Sequence, residues 1–292
     1  MSFLLPKTPW STAALAIGLA LLVAAPNGAA ALVLRYDFDD SSNPTADSGT
    51  GTAAPGTLIG GDNFTTNTPS GTGKAYSTGA GNDAYVTTGT TGNPDTANHP
   101  IKLNQLTAFT LTLWVNLRAT PATNDRLVSD WNTGINQGFD FRINTVVSSA
   151  AFQLVLNVDD GSAASMTGAN AANAGANQAW TFLAVTYDGS LTANNVHFYT
   201  GAAAVAVSQL GDTTTINKGA AANTATDFQV GGTAASSSDR SPSAFFDDVR
   251  VYDEVLDSTA LNGVRAANVP EPGVSALVTA GAIGCLGRRR RR

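Results

Sequence analysis

The residues with the clearest potential for chemistry are acids near the start of the central sequence. Asp37, Asp39 and Asp40 form a cluster, and Asp47 follows shortly after it. Carboxylate oxygens are the ligands that a hard cation such as Ca²⁺ prefers, and Ca²⁺ needs several of them. The same residues are also typical of turns, where solvated acids bind nothing. The sequence therefore leaves two alternatives, a cation site and an acidic surface loop.

A second acidic position lies near the other end, in the segment Phe246–Tyr252. Side chains alternate between the two faces of a strand, so Asp247 is expected to share a face with Val249 and Val251. If the valines face the core, Asp247 faces inward with them. A carboxylate in that position must be paired, hydrogen-bonded or bound to a metal.

The sequence contains few residues that could carry imidazole or thiol chemistry. The chain has two histidines, His99 and His197, and its single cysteine is Cys285. One cysteine excludes an internal disulfide and a zinc site built from Cys and His pairs. No Gly-x-Ser-x-Gly sequence occurs, so a hydrolase nucleophile of that type is also absent. We expect both histidines to lie in a loop or on the surface.

Carbohydrate binding needs exposed aromatic rings with amide or carboxylate partners. Trp131 stands in a loop-like context, unlike Trp114 and Trp180, which lie in apolar runs and are expected in the core. The candidate ligand-binding patch consists of Asp130, Trp131, Asn132 and Asn136. The alternative is that Trp131 covers one end of the core.

Short apolar or alternating runs must position these residues. They are separated by Gly, Asn, Asp and Ser clusters and are rich in Val, Thr, Phe, Tyr and Trp, which predicts strands and turns. The clearest runs are Leu32–Phe38, Phe109–Leu117, Phe139–Ile143, Phe152–Val158, Trp180–Tyr187, Asn195–Tyr199, Val205–Gln209, Phe228–Val230 and Phe245–Tyr252. Only Ser258–Ala266 has helical spacing, with Ser258 or Thr259 as N-cap. The pattern predicts an all-β fold, a two-sheet antiparallel sandwich or jelly roll.

Three of these runs resemble the concanavalin A-like, laminin-G type jelly rolls. Phe109–Val115 (FTLTLWV) is similar to their central strand, and Trp180–Gly189 (WTFLAVTYDG) to a later strand and turn. Phe246–Tyr252 (FDDVRVY) resembles their closing strand. The order and spacing of these motifs assign residues 32–266 to one such domain.

The resemblance implies pairing of the first and last strands, which would bring the early acids near the late one. The family often holds a structural calcium in that region. We therefore expect one Ca²⁺ bound by Asp39, Asp47 and Asp247 together with backbone carbonyls.

The same superfamily includes endoglucanases, which place two Glu and an intervening Asp on one strand. A retaining glycosidase needs two carboxyl groups about 5 Å apart. Here the only glutamates are Glu254 and Glu271, and no Glu-x-Asp sequence occurs. The chain is therefore predicted to be non-catalytic.

The two ends of the chain have the composition of targeting segments. Residues 1–31 combine Lys7, a short apolar run and small residues up to Ala31, the three parts of a secretory signal peptide. Residues 267–292 contain Pro270, Glu271 and Pro272, then an uncharged apolar stretch, then the run Arg288, Arg289, Arg290, Arg291 and Arg292.

That C-terminal order resembles the PEP-CTERM sorting signal of Gram-negative bacteria, which an exosortase removes. The apolar stretch, residues 273–287, reaches only about 22 Å as a helix, too short for a permanent span, so transient insertion into the inner membrane is expected. The resemblance implies delivery to the cell surface or extracellular matrix and an association with biofilm.

Together these features predict an exported, non-catalytic protein that binds glycan or matrix polymer. The alternatives are a purely structural coat protein and a glycoside hydrolase with unrecognised carboxylates. The terminal segments hold six of the 16 basic residues and one of the 22 acidic ones, so their removal leaves a net charge near −11. No basic patch remains for nucleic acid, and binding to anionic polymers is expected to need a bridging cation.

Overall fold

The structure is a computed structural model that describes residues 30–60, 64–78, 84–89, 99–132, 136–145, 152–159, 162–167, 179–222, 226–232 and 240–269. Nearly all of the predicted signal peptide and most of the predicted sorting segment, from Pro270 onward, lie outside these residues. None of the helical segments in the described part has the length and apolar character needed to cross a bilayer.

The described residues form fifteen strands joined by turns and loops, followed by one α-helix. The strands are β1 (Leu32–Tyr36), β2 (Thr57–Ile59), β3 (Phe64–Thr65), β4 (Ala75–Ser77), β5 (Tyr85–Thr87), β6 (Ala108–Leu117), β7 (Asp125–Asn132), β8 (Gln137–Thr145), β9 (Phe152–Val158), β10 (Ser162–Thr167), β11 (Thr181–Asp188), β12 (Val196–Ala202), β13 (Val205–Gln209), β14 (Gln229–Val230) and β15 (Ala244–Tyr252). The helix is α1 (Ser258–Ala266), and a short 3₁₀ turn covers Ile101–Leu103.

Two antiparallel sheets pack face to face. The first sheet has the order β13-β12-β11-β6-β15-β4-β3, with β1 also paired to β15, and the second has the order β10-β9-β8-β7-β14-β5-β2. The predicted all-β jelly roll is confirmed. The pairing of the first strand with the last, Tyr36 opposite Val249, is also as the resemblance implied.

The main core lies between the sheets and follows the alternation of the strands. Leu111, Leu113 and Val115 of β6 face inward from the first sheet. Phe139 and Phe141 of β8 face them from the second. Their neighbours in sequence therefore point to the two outer faces.

The outer face of the first sheet carries a second apolar cluster. Trp114 and Phe182 form an edge-to-face pair 5.6 Å apart, and Leu261 of α1 belongs to the same cluster. The N-cap of α1 is Asp257, whose carboxylate accepts from the Ala260 amide at 2.8 Å. The prediction of Ser258 or Thr259 as the cap was wrong by one or two residues, and Asp is equally suited to the role.

The last strand does not alternate as predicted. Asp248 has a positive φ of 46°, and the register between β15 and β6 shifts between Asp247 and Arg250. Phe246 on one side of this bulge and Val249 on the other both face the main core. Asp247 is instead paired with Trp114 on the outer face, so its predicted inward orientation was wrong.

Candidate functional site

The outer face of the second sheet is polar, unlike that of the first. On β8, Asp140 and Arg142 alternate with Phe139, Phe141 and Ile143 of the core. Polar side chains at alternating positions are usual on a sheet face that meets water. Here Asp140 is nevertheless fully buried.

A row of polar side chains crosses this face from strand to strand. Strand register places Asp140 between Asn157 and Ser129. Ser129 is in turn beside Gln229, and Gln229 is beside Thr87. None of the five is more than 4% exposed. Buried polar groups normally have a specific partner or a role, so a continuous row of them marks this face for function.

Two arginines lie on one side of the row, further along β7 and β8. Arg126 of β7 is opposite Arg142 of β8, and the carboxylate of Asp140 contacts both guanidinium groups, with Arg142 Nη1 at 3.3 Å from Oδ2. Asn157 Nδ2 donates to the same oxygen at 3.2 Å. Burial, and then the positive charges of Arg142 and Arg240, lower the pKa of Arg126 to about 9.

Trp131 lies on the opposite side of the row from these arginines. It is on β7, so the predicted loop placement was wrong. Alternation puts it on the same face as Ser129, and it is only 8% exposed. It is one of the buried hydrophobic residues, although neither of the two hydrophobic clusters of described residues contains it.

The predicted ligand patch is divided by the strand. Asp130 is paired with Phe139 and points to the opposite face from Trp131. Asn132 ends β7, and Asn136 is exposed in the turn before β8 with a φ of 50°. Of the four patch residues, Trp131 is therefore the one that the structure places beside the polar row.

Asp130 instead holds His99, the residue that the sequence analysis treated as a loop histidine. His99 Nδ1 lies 3.5 Å from Asp130 Oδ1 and 2.6 Å from the Thr226 carbonyl, and Nε2 contacts Asn104 Oδ1. Burial lowers the pKa of His99, but the hydrogen bond and charge of Asp130 together with the other partners raise it to about 9. A protonated imidazole with both nitrogens engaged is not poised as a general base.

A cavity of about 660 Å³ opens beside His99. Its lining includes Thr57, Thr88 and Lys102, together with Ile101, which is largely exposed. Thr57 of its lining is paired with Thr87 of the polar row. Its size would admit a small ligand, but among the described lining residues the two basic ones, His99 and Lys102, are each held by an aspartate.

The predicted calcium ligands do not come together. Asp47 is buried and accepts from the amides of Arg35, Gly49 and Ala54, and it also contacts Lys102 Nζ. Those donors occupy both of its oxygens and fix the loop after β1. In the part of the chain that the structure describes, no group of three His, Cys, Asp or Glu side chains could hold a metal ion.

Asp39 does lie close enough to Asp247 for its charge to act on that carboxyl group. Asp39 accepts from the Lys74 amide at 2.8 Å. Burial is the main cause that raises the pKa of Asp247 to about 8, and the charges of Asp248 and Asp39 add to it. Asp248 is paired with Arg35 and Arg250 at 2.8 and 2.7 Å. The predicted three-carboxylate calcium set therefore does not fit, and an acidic pair remains.

Sequence reasoning missed the functional interest of Arg126, Asp140 and Arg142. The signal was present in the alternation of Phe139–Ile143, which places Asp140 and Arg142 on one face. Arg126 could not be assigned to that face from spacing alone, because the register between β7 and β8 shifts between Arg126 and Val128.

Solved structures with the same fold include proteins that bind carbohydrate. Domain 4 of AbnA, an extracellular GH43 arabinanase from Geobacillus stearothermophilus, was solved in complex with arabinotriose; it is 18% identical, with a TM-score of 0.54 over 81% of this chain and 98% of that one. The binding domain of botulinum neurotoxin DC in complex with SialylT is 11% identical, with a TM-score of 0.51 over 82% of this chain and 51% of that one. The botulinum neurotoxin serotype C1 binding domain is 13% identical, with a TM-score of 0.51 over 81% and 52%.

These identities show a shared fold and no more. This chain spans about half the length of each neurotoxin structure. Among curated protein sequences, none matches this chain. The family model Laminin_G_3 matches residues 80–262, which is more than half of the chain. The protein therefore belongs to the Laminin_G_3 family of the concanavalin A-like lectin/glucanases superfamily.

Proposed function

We propose that this protein is a non-catalytic module that binds glycan or matrix polymer on the outer face of its second sheet. The observation that carries the proposal is the buried polar row of Asn157, Asp140, Ser129, Gln229 and Thr87, with Trp131 beside it on β7. Amide, hydroxyl and carboxylate groups can bond sugar hydroxyls, and an aromatic ring can pack on a sugar ring. The carbohydrate complexes of fold neighbours support the same class of ligand.

The absence of catalysis is part of the proposal. Glu254 lies in the turn after β15, where its backbone carbonyl accepts from the Thr110 hydroxyl at 2.7 Å. Asp140 contacts two arginines and accepts from Asn157 Nδ2 at 3.2 Å. A paired acid and nucleophile of the glycosidase type is not formed by these residues.

A glycan array probed with matched tryptophan variants tests the proposal. Trp131→Ala should lose binding, whereas Trp180→Ala should keep it, because Trp180 packs on Phe245 of the first sheet. Trp131→Phe keeps an aromatic ring and guards against loss of folding. Equal binding by the wild-type chain and Trp131→Ala would remove this face from consideration. No saturable binding of purified exopolysaccharide by the wild type would favour the alternative, a structural coat protein.

Calcium binding stays a proposal for the acidic pair of Asp39 and Asp247. Its support is the cost of keeping these carboxylates close, which a divalent cation would reduce. The expected result is a higher melting temperature with millimolar Ca²⁺ than with EDTA, and no difference in Asp247→Asn. The same melting temperature with Ca²⁺ and with excess EDTA would remove the proposal.

Export and sorting are also proposed, on the strength of the terminal sequences alone. Residues 1–31 would be removed on export, and an exosortase would cleave near Pro270–Pro272 after transient insertion in the inner membrane. The protein would then lie at the cell surface or in the extracellular matrix of a Gram-negative bacterium. The intact mass of the protein recovered from native cells would test both cleavages, and a full-length mass would contradict them.

A further inference from the structure

We propose that Arg126, Arg142 and Arg240 form a subsite for the carboxylate of an acidic sugar on the outer face of the second sheet. The inference rests on the proposed function, since it names the class of glycan that this face binds. It also reverses the expectation from net charge that anionic polymers need a bridging cation.

The first step is the local charge. Arg126 and Arg142 are cross-strand neighbours, and like charges in that position destabilise a sheet unless something compensates them. The Arg240 carbonyl accepts from the Arg126 amide at 2.8 Å, and the charge of Arg240 acts on both other guanidinium groups. Among the described residues, Asp140 supplies the carboxylate that contacts Arg126 and Arg142, so one negative charge faces these two positive charges.

The second step is the unfilled hydrogen bonding. Both Arg126 and Arg142 contact a single oxygen of Asp140, Oδ2, which Asn157 also bonds. The buried Nε atoms of Arg126 and Arg142 have no acceptor among the described residues. The Arg126 side chain is 97% buried, since only 3% of it is exposed, and a buried guanidinium with an unused donor is costly.

The third step is access and shape. The Arg142 side chain is 17% exposed and Arg240 is half-buried, so a ligand can reach the cluster at these two residues. Guanidinium groups bind carboxylates through parallel hydrogen bonds in a fixed fork. The Asp227 carboxylate accepts from the Thr87 hydroxyl of the polar row at 3.3 Å. A sugar acid would therefore reach the cluster at Arg142 and Arg240, beside the polar row.

The test compares oligogalacturonate with its methyl ester, which has the same sugar backbone without the charge, by calorimetry on the full chain. The wild type should bind the acid at least about tenfold more tightly, the value of one charge-assisted hydrogen bond. Arg142→Gln and Arg240→Gln should each lose most of that preference. Arg118→Gln is the matched control and should keep it, because Arg118 packs over the Phe245 ring, 4.8 Å from its centroid, on the first sheet.

The outcomes separate the two proposals. Equal affinity of the wild type for acid and ester would overturn the carboxylate subsite and leave glycan binding standing. Binding of neither would overturn the carboxylate subsite, and the glycan array would then decide the proposed function. Tighter binding of a sulfated oligosaccharide than of the carboxylated one would overturn the assignment to a carboxylate. Since Arg142→Gln could lower stability, each variant's melting curve is recorded, and Arg240→Gln gives an independent result at a less buried position.

Discussion

The outer faces of the two sheets are buried in different ways. On the first sheet, Trp114, Phe182 and Leu261 of α1 pack together as an apolar cluster. On the second sheet, Asp140 of the polar row and its neighbour Arg126 are also deeply buried, but they are polar. An apolar cover stabilises a sheet by removing hydrocarbon from water, whereas buried polar groups add little stability once their desolvation is counted.

The difference separates structural residues from candidate binding residues in one fold. The helix α1 fixes the first face, where Arg265 Nη1 donates to the Ala202 and Ala203 carbonyls at 2.8 Å. The second face retains unused donors on Arg126 and Arg142. Substitutions on the first face should therefore change stability, and substitutions on the second should change binding as well.

The largest effect is expected from Trp114→Ala. This fully buried ring lies in the apolar cluster against Phe182, so its removal should lower the free energy of unfolding by about 3–5 kcal/mol. Urea denaturation followed by circular dichroism measures the change. Glycan affinity of the folded fraction should stay unchanged, and a specific loss of affinity at full folding would break the contrast between the faces.

Asp140→Asn should have a somewhat smaller effect on stability, about 3 kcal/mol, because it leaves Arg126 buried beside Arg142 without a counter-charge. Asp140→Asn should also bind oligogalacturonate at least as tightly as the wild type, since the competing carboxylate is gone. Calorimetry and denaturation on the same samples separate these effects. A loss of acid binding in a stable variant would show that Asp140 contacts the sugar itself.

Asp247 lies on the first face, paired with Trp114 and 4% exposed. Its pKa is raised to about 8 from 3.8, so the folded state holds the proton that the unfolded chain releases. Stability should therefore fall as the pH rises from about 4 to about 8, by about 2–4 kcal/mol. Asp247→Asn should flatten this slope and unfold at a higher temperature than wild type at pH 8. An unchanged pH profile would contradict the raised pKa.

A smaller pH effect is expected at His99, which contacts Asp130 of the second sheet. Its pKa is raised to about 9 from 6.5, so its pairing with Asp130 stabilises the fold fully below pH 6.5 and is lost as the pH rises through about 9. The change should be about 1–2 kcal/mol. His99→Gln should lose stability at pH 6 and approach the wild type at pH 10, as followed by thermal melting. A loss of the same size at both pH values would mean that shape, not charge, matters there.

The sequence predicted the strands well because each carries its own alternation and turn residues. Phe152–Val158 and Val205–Gln209 have the predicted bounds, and so does the helix Ser258–Ala266. The predicted sites were less accurate because they depend on register and on distant contacts. The bulge at Asp248 turned Asp247 to the other face, and the strand β7 separated Asp130 from Trp131.

Distant contacts are not encoded in local patterns at all. Asp47 is held by Lys102 across 55 residues, and His99 by Thr226 across 127. No spacing rule reveals such partners. The polar face of β8 could have been predicted from the sequence, because Asp140 and Arg142 alternate with apolar residues on a strand that was predicted.

The most direct test of the central claim is chemical-shift mapping of the isotope-labelled protein with oligogalacturonate. If the outer face of the second sheet binds the glycan, backbone amide shifts should change along β7, β8 and β14, with the largest changes near Arg126 and Arg142. Residues of α1 and β12 should keep their shifts. Changes centred on α1 and the Trp114 cluster, with none on β7 or β8, would contradict the account.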